Sequence, residues 1–526
     1  MADSQLRVGE AIIDLLAREY GVEVVFGIPG VHNIELYRGL NRSGVRAISP
    51  RHEQGAGFMA DGWSIVSGKP GVCVLISGPG VTNALTPIAQ AYHDSRPMLV
   101  LASTTPTDAL GKSFGPLHDL PDQGKIAESV CSFSEIVTDP AQLPGLIERA
   151  FNVFNSSRPR PVHIAIPMDV LAQPIQPFSR KKHNSAKPIA ASIEVDRAAK
   201  LINDSQSPIV IAGGGCINAG TELVAFAQAL DAPVLLTGNA KGVMSSNHEL
   251  CAGNCLVFGR VQRDVEAADV VVVIGTELSD TDLYNGGRAL NLGKVVRIDI
   301  DQAQISRRTA PTVALVGDAG ATLAALTKKI TRRTTSDGKT RAKTWREHAR
   351  TKTNAKFVPW LQAIEENLPE DSIVALDSTQ LAYSAHWWLP ATTSRSWLAP
   401  YGFGTLGCAL PMAIGASTAA PKRPVLVIAG DGGWLFTVAE MAVAKDLNSK
   451  IVLVLWDNNG YEQIRESFDD VAAPQMGVDV SSHDPIAIAK GFGWATTQVA
   501  TPEQLATALR EGLAANSPQF IRVVVD

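Results

Sequence analysis

The sequence predicts an α/β fold of three parallel-sheet domains, and three observations carry that reading. Short, wholly apolar runs alternate with stretches of helical period, glycine-rich loops follow several of the runs directly, and two polar, basic stretches divide the 526 residues into parts of similar size. Strands apolar on both faces belong to parallel sheets covered by helices. A chain of this length also exceeds one core, at ~150 residues per domain.

The elements follow in order. Val8, Ala11, Ile12, Leu15 and Leu16 recur at helical spacing, Val24–Phe26 reads as a strand, and Gly27-Ile28-Pro29-Gly30 ends it. Gly71–Ile76 reads as a buried strand, Ser77–Gly80 as its loop, Thr82–His93 as a helix and Met98–Ala102 as the next strand. Leu171–Ser192, with Pro174, Pro177, Pro188 and the basic run Arg180–His183, reads as a first linker. Lys328–Lys343, basic and polar without an apolar period, reads as a second. The predicted domains are therefore 1–172, 190–330 and 350–526. In the third, the strand Ile373–Leu376 leads into Asp377-Ser378-Thr379-Gln380. The strand Val425–Ala429 leads into Gly430-Asp431-Gly432-Gly433 and a helix from about Phe436 to Asp446, and Ile451–Trp456 ends in Asp457-Asn458-Asn459-Gly460.

Composition narrows the function. Hydrophobic residues make up 45% and charged residues 19%, which describes a folded, soluble protein. With 47 basic against 52 acidic residues the net charge is −5, which argues against a nucleic-acid partner. Met1–Gln5 opens no apolar leader, and runs such as Asp269–Ile274 are too short to span a bilayer, so no membrane partner is expected. Six scattered cysteines suit reduced thiols in the cytoplasm, and Cys251 and Cys255 lack a second pair at zinc-like spacing.

The chemistry concentrates in the third part. Glycines after a strand let backbone N–H groups approach phosphate at a helix start, where the dipole also favours negative charge. Asp431 adds a carboxylate and Asn458 an amide oxygen, both suited to Mg²⁺ beside a phosphate. Both loops end neighbouring strands, where open α/β sheets bind ligands. Gly430-Asp431-Gly432 alone would be read as a turn; the second loop, after the next strand, changes that weighing.

The paired loops resemble the GDG…NN motif of thiamine-diphosphate (ThDP) enzymes. Arg51-His52-Glu53-Gln54-Gly55-Ala56-Gly57 and Ser77-Gly78-Pro79-Gly80-Val81-Thr82-Asn83 resemble the pyrimidine-domain motifs of the acetolactate synthase and 2-oxo acid decarboxylase type, and Gly402–Pro411 resembles the loop that bends the cofactor. The resemblance covers essentially the whole chain and implies a pyrimidine-binding, a central Rossmann-like and a pyrophosphate-binding domain. It implies that Asp431, the Asn458 side chain and the Gly460 carbonyl hold Mg²⁺, and that Glu53 hydrogen-bonds the aminopyrimidine. Pro29, Gly78, Asn83, Ser378, Thr379, Gln380, Gly404, Leu406, Gly432, Gly433 and Tyr461 would complete the cofactor site, with Leu406 beneath the bend. The same resemblance implies that two subunits clasp each cofactor, hence a homo-oligomer: a dimer at least, built up to a tetramer.

It further implies non-oxidative decarboxylation of a small-molecule 2-oxo acid to an aldehyde. Gly30-Val31-His32, Leu117–Gln123 and Gly275–Asp282 resemble 2-ketoarginine decarboxylases more than acetolactate synthases. His32 and His118 are then the proton-transfer candidates. Asn33 and Gln123 are candidate substrate contacts, and Glu277, Asp280, Asp282 or Glu462 could meet a guanidinium tail. Each of these acids could equally be a solvated loop residue. The central Gly213-Gly214-Gly215-Cys216-Ile217-Asn218 breaks the dinucleotide fingerprint at its last glycine, and Cys251–Gly286 lacks FAD-contacting sequences, so neither NAD nor FAD is expected. An acetolactate synthase-like carboligase, an FAD-containing oxidase and a non-catalytic ThDP-binding protein are the alternatives.

Overall fold

A computed structural model describes residues 5–183, 185–333, 337–480 and 483–525. Met1–Ser4, on which the leader reading rests, and residues 334–336 of the second linker lie outside them. Three six-stranded sheets succeed one another along the chain, and every ladder within them is parallel. The apolar runs dictate this, because each is buried on both faces and needs helices above and below it.

The first sheet runs Arg46–Ile48, Val24–Phe26, Gly71–Leu75, Met98–Thr104, Val162–Pro167, Ser134–Ile136. The third runs Trp397–Leu398, Ile373–Leu376, Val425–Gly430, Ile451–Asp457, Gln519–Val524, Ala495–Val499. Numbered by chain order within each sheet, both read 2-1-3-4-6-5. The central sheet runs Cys251–Gly253, Val234–Leu236, Ile209–Ala212, Val270–Ile274, Lys294–Asp299, Val313–Val316, which is 3-2-1-4-5-6, the doubly wound dinucleotide-type order. A short antiparallel pair, Leu6–Arg7 with Pro174–Ile175, ties the beginning of the described chain to the first linker.

Three expectations are corrected. The helix after Ser77–Gly78 begins at Pro79, not Thr82, with the proline at a position where a missing N–H costs nothing. Its counterpart after Gly430 begins at Asp431 itself: Asp431–Leu435, a 3₁₀ turn Val438–Glu440, then Met441–Asp446. The second half of Lys328–Lys343 is not linker, because a helix spans Gly338–Thr351. It buries Ala342, Trp345 and Ala349 among Ile209, Val271 and Val273 of the central sheet, and Trp345 Nε1 donates to Asp264 at 2.8 Å. A third-domain start at 350 would cut that helix. Three buried residues among so many charges leave too sparse a stripe to register as a period.

The first and third domains share one core. The helix Glu53–Ser67 crosses the helix Ala409–Ala419 so closely that a Cβ on Gly62 would strike the Met412 carbonyl, and one on Gly415 the Met59 carbonyl. Residue numbers rise along one helix as they fall along the other, so the pair is antiparallel.

Candidate active site

The first half-site gathers at the carboxyl ends of the first sheet. Glu53 opens its helix and accepts a hydrogen bond from Asn83 Nδ2 at 3.0 Å, which leaves Oε1 facing Gly80. Ser77 joins two histidines: its hydroxyl pairs with His32 Nδ1 in a very short contact, and its carbonyl accepts from His118 Nδ1 at 3.2 Å. The two rings lie 5.1 Å apart between centroids. Burial, then the neighbouring His118, lowers the His32 pKa, so His32 stays neutral at pH 7. Because His118 Nδ1 must donate to a carbonyl, its neutral tautomer has a bare Nε2. Gly78 sits at φ +64°, and a Cβ there would come within 2.5 Å of the His118 carbonyl oxygen. Pro29 is exposed at the rim of the same loop cluster.

The second half-site forms where three helix starts meet, at Gln380, Ala409 and Asp431. Buried Asp377 organises them, accepting from Ser378 N at 2.9 Å, Gly407 N at 3.1 Å and Ala409 N at 3.3 Å. The side chain of Thr379 packs on Gly430, Gln380 is buried, and half-buried Leu406 lies beside Gly433. A Cβ on Gly432 would collide with the Tyr461 ring, and exposed Gly404 turns at φ +67°. Dipoles of helices starting together favour an anion between them.

The oxygen donors converge here as well. Asp431 Oδ2 accepts from Gly460 N at 2.7 Å. The terminal atom of the Asn458 amide nearest the pair lies 3.2 Å from Asp431 Oδ1 and 3.0 Å from the Gly460 carbonyl oxygen. Placed as nitrogen, that atom donates to both; placed as oxygen, it completes a trio of oxygens that only a cation makes favourable. The donor set therefore fits a divalent ion. Burial, then the Asp457 charge, pushes the Asp431 carboxyl up to about 6, the kind of shift a bound cation opposes.

Within one chain the two half-sites stand apart. Antiparallel packing puts Glu53 beyond the C-terminal end of the helix Ala409–Ala419, whereas Leu406 and Asp377 adjoin its N-terminal end. The helix Pro79–His93 measures the gap: Asn83 holds Glu53 near one end, while Gln90 and Asp94 near the other accept from Thr405 Oγ1 at 3.0 Å and Gly402 N at 2.8 Å. At 1.5 Å per residue, Asn83 and Asp94 are about 16 Å apart along that axis.

The proposed substrate contacts fare differently. Asn33 is fully buried and closes its own loop, accepting from Gly30 N at 2.8 Å and donating to Ile28 O at 3.2 Å. Gln123 is likewise committed at both amide ends, to Gly78 N at 2.9 Å and Ser103 O at 3.0 Å. Asp280 accepts from Gly287 N at 2.8 Å, Asp282 from Gly238 N at 3.1 Å and Ser279 N at 3.0 Å, and Glu277 pairs with Arg158 at 2.6 Å. Glu462 pairs with Arg465 at 2.6 Å. In this chain these groups shape loops and hold partners. Asp282 and Glu277 line a separate cleft of about 320 Å³ where the first and central domains meet Arg395, Trp397, Tyr401 and Gly402 of the third, and neither Glu53 nor Asp431 borders it. There a Cβ on Gly213 or Gly215 would run into Gly275, so the glycines of that loop serve loop-to-loop packing.

Glu440 was not visible as a functional candidate in the sequence. It is buried on the turn after the Asp431 helix, yet its carboxylate accepts from Arg51 N and His52 N at 3.1 Å, immediately before Glu53. Burial pushes its carboxyl up to about 7. A lone acid in the apolar run Val438–Ala444 was the available signal. Ser77, read only as part of a motif, is the group on which both histidines converge.

Comparison with known proteins agrees with this geometry. Residues 6–126 match the N-terminal TPP binding domain of thiamine pyrophosphate enzymes, residues 195–326 the central domain and residues 377–523 the C-terminal TPP binding domain. The chain is 40% identical to a probable 2-ketoarginine decarboxylase of Pseudomonas aeruginosa, over 98% of this chain and 94% of that protein. It is 29% identical to a probable acetolactate synthase large subunit of Methanocaldococcus jannaschii (99% and 92% covered) and 29% identical to the acetolactate synthase isozyme 1 large subunit of Escherichia coli (98% and 93%).

Proposed function

Because the chain belongs to the thiamine pyrophosphate enzyme family, we propose that it decarboxylates a 2-oxo acid to an aldehyde without oxidation, using ThDP and Mg²⁺, with 2-ketoarginine as the substrate. The observation that carries the substrate is 40% identity, sustained over nearly the whole chain, to a relative bearing that activity in its name. Identity to the acetolactate synthases is lower, which makes carboligation the second reading.

When bound, ThDP supplies the carbon nucleophile and the electron sink that loss of CO₂ requires. Asp431, Asn458 and the Gly460 carbonyl would hold Mg²⁺, and the helix starts at Gln380, Ala409 and Asp431 would face the diphosphate. Glu53, steadied by Asn83, would hold the aminopyrimidine and settle its proton. His32 and His118, anchored through Nδ1 to Ser77, direct their Nε2 atoms to proton transfer at the reacting centre, and the lowered pKa of His32 suits it to accept a proton near pH 7. Committed to Gly78, Gln123 acts by holding that loop in place.

The separation of the half-sites supports a site completed by two chains, and the active form on this reading is a dimer at least, with a tetramer as the full assembly. Exposed apolar side chains at the site loops, Val31, Phe114, Leu117, Phe436 and Met476, suit such a contact. We place the enzyme in the cytoplasm, without FAD, nucleic acid or membrane as partner. The six cysteines are free and buried, and no helix among the described residues is long and apolar enough to cross a membrane.

The test is CO₂ release with ThDP and Mg²⁺ from 2-ketoarginine, pyruvate, benzoylformate and branched 2-oxo acids. Preferential turnover of 2-ketoarginine is expected. Acetolactate formed from pyruvate would move the protein to the carboligases, and a yellow protein as purified would overturn the FAD-free reading.

A further inference from the structure

The loop that presents Asn458 and Gly460 is conformationally expensive. Asn459 sits at φ +60° and Gly460 at φ +136°, directly after the strand that ends at Asp457. A non-glycine residue in the left-handed region, even asparagine, which tolerates it better than most, is kept there by its surroundings. Buried Asp457 steadies the beginning of the turn: its Oδ1 accepts from Asn459 N at 3.3 Å and its Oδ2 from Arg522 Nε at 2.6 Å. The far side of the turn is held by Arg465.

Arg465 projects from the helix Glu462–Asp470, and one guanidinium joins three segments. Its NH2 group donates to the Asn459 carbonyl at 2.6 Å and to Asp479 at 2.7 Å. Its NH1 group donates to Glu462 at 2.6 Å and reaches the Asn458 carbonyl at 3.5 Å. The Asp479 segment lies across the turn, with Tyr461 N donating to the Val478 carbonyl at 3.0 Å. A Cβ on Gly460 would strike that same carbonyl and come within 2.6 Å of Arg465 NH2. A planar, forked donor reaches the two carboxylates and the carbonyl from separate nitrogens in fixed directions, whereas an ammonium gathers its three donors at one point.

We infer that Arg465 is a positioning residue for the divalent cation: by clamping the Asn458–Gly460 turn from outside, it holds the Asn458 amide and Gly460 carbonyl at the spacing Mg²⁺ requires, with Glu462 and Asp479 as its anchors. The inference rests on the cation site proposed above. Mg²⁺ demands near-ideal octahedral geometry, whereas Ca²⁺ accepts longer and less regular coordination. Loosening the turn therefore penalises Mg²⁺ more than Ca²⁺. A general loss of fold would weaken both alike.

The experiment uses the full chain stripped of cofactor, with intrinsic fluorescence followed as MgCl₂ or CaCl₂ is titrated in at fixed ThDP. Arg465→Lys is expected to raise the Mg²⁺ midpoint about tenfold (about 1.4 kcal/mol) and the Ca²⁺ midpoint by no more than about twofold, with the melting temperature of the stripped protein little changed. Asp479→Ala leaves the guanidinium in place and removes one anchor, so it should shift the Mg²⁺ midpoint about threefold even if the Arg465 variant fails to fold. An unchanged Mg²⁺ midpoint, or equal shifts for both ions, overturns the clamp. Wild-type protein whose ThDP binding ignores both ions overturns the cation site itself.

Discussion

The first and third sheets have the same strand order, 2-1-3-4-6-5, and so the same switch point between strands 1 and 3, yet the loops there carry different chemical groups. In the first sheet the loops after strands 1 and 3 bring together His32, Ser77 and Gly78 near Glu53, a set whose imidazole, hydroxyl and carboxylate are groups of the kind that exchange protons. In the third sheet the corresponding loops, Asp377–Gln380 and Gly430–Gly433, offer helix starts and oxygens, which suit a polyanion and a cation. The central sheet has the other doubly wound order, and at its switch point Gly213 and Gly215 pack on Gly275, which lines the separate cleft. Topology locates a site in all three sheets. Loop residues decide whether it is proton chemistry, binding or packing.

If the outer sheets supply complementary halves across two chains, crippling each in a separate chain is the sharpest way to break the comparison. Glu53→Gln and Asp431→Asn should each lower kcat by roughly 10²–10⁴-fold or more as pure proteins. Co-expressed, they should regain a substantial fraction of wild-type activity, because a mixed dimer has one site with both halves intact. No recovery in verified mixed dimers would show that each chain builds its own site, and the separation of Glu53 from Asp431 would then need another explanation.

A smaller effect sharpens the packing side. Gly415→Ala would drive a methyl into the Met59 carbonyl, a backbone atom with no rotamer to escape to, so a loss of roughly 3 kcal/mol or more is expected in chemical unfolding. The exposed Gly404 offers open space instead, and its cost should come from φ +67° alone, about 1 kcal/mol. Equal costs at the two glycines would contradict the crossing described for the helices.

A pH-dependent effect concerns Glu440, which bridges the first and third domains. Its carboxyl lies near 7 in the folded chain against an ordinary 4.5, chiefly through burial, with the Arg51 and His52 N–H groups and the Arg51 charge opposing and Glu53 adding to the rise. The folded state binds this proton more tightly, so the contribution to stability is greatest at low pH and falls as pH rises from about 4.5 to about 7, by at most about 3 kcal/mol. Glu440→Gln cannot ionise, and the difference in stability between variant and wild type should therefore grow in the variant's favour between pH 5 and pH 8. A difference that stays constant over that range would place the Glu440 titration elsewhere.

Legibility in the sequence followed locality. Val425–Ala429 and Ile451–Trp456 declared themselves as strands because each is apolar at every position, and the convergence of Asp431 with Asn458 was legible because a glycine-bearing loop ends each of those neighbouring strands. The helix Gly338–Thr351 stayed hidden because Ala342, Trp345 and Ala349 are apolar islands whose partners lie in another domain. Asn33, Gln123 and Asp282 looked like free polar groups, since nothing local reveals that each is engaged by backbone N–H or carbonyl groups, some of them far along the chain.

By itself the sequence determined three parallel-sheet domains, the loops that end their strands, and the chemical types at Glu53, Asp431 and Asn458, because periodicity and glycine placement act over a few residues. Only the tertiary structure decided that Ser77 anchors two histidines, that Glu440 reaches the backbone before Glu53, and that the half-sites face opposite ends of one helix pair. Those are contacts between distant segments, set by strand order and by an antiparallel helix crossing that two glycines permit. Neither is written in any local stretch of the chain.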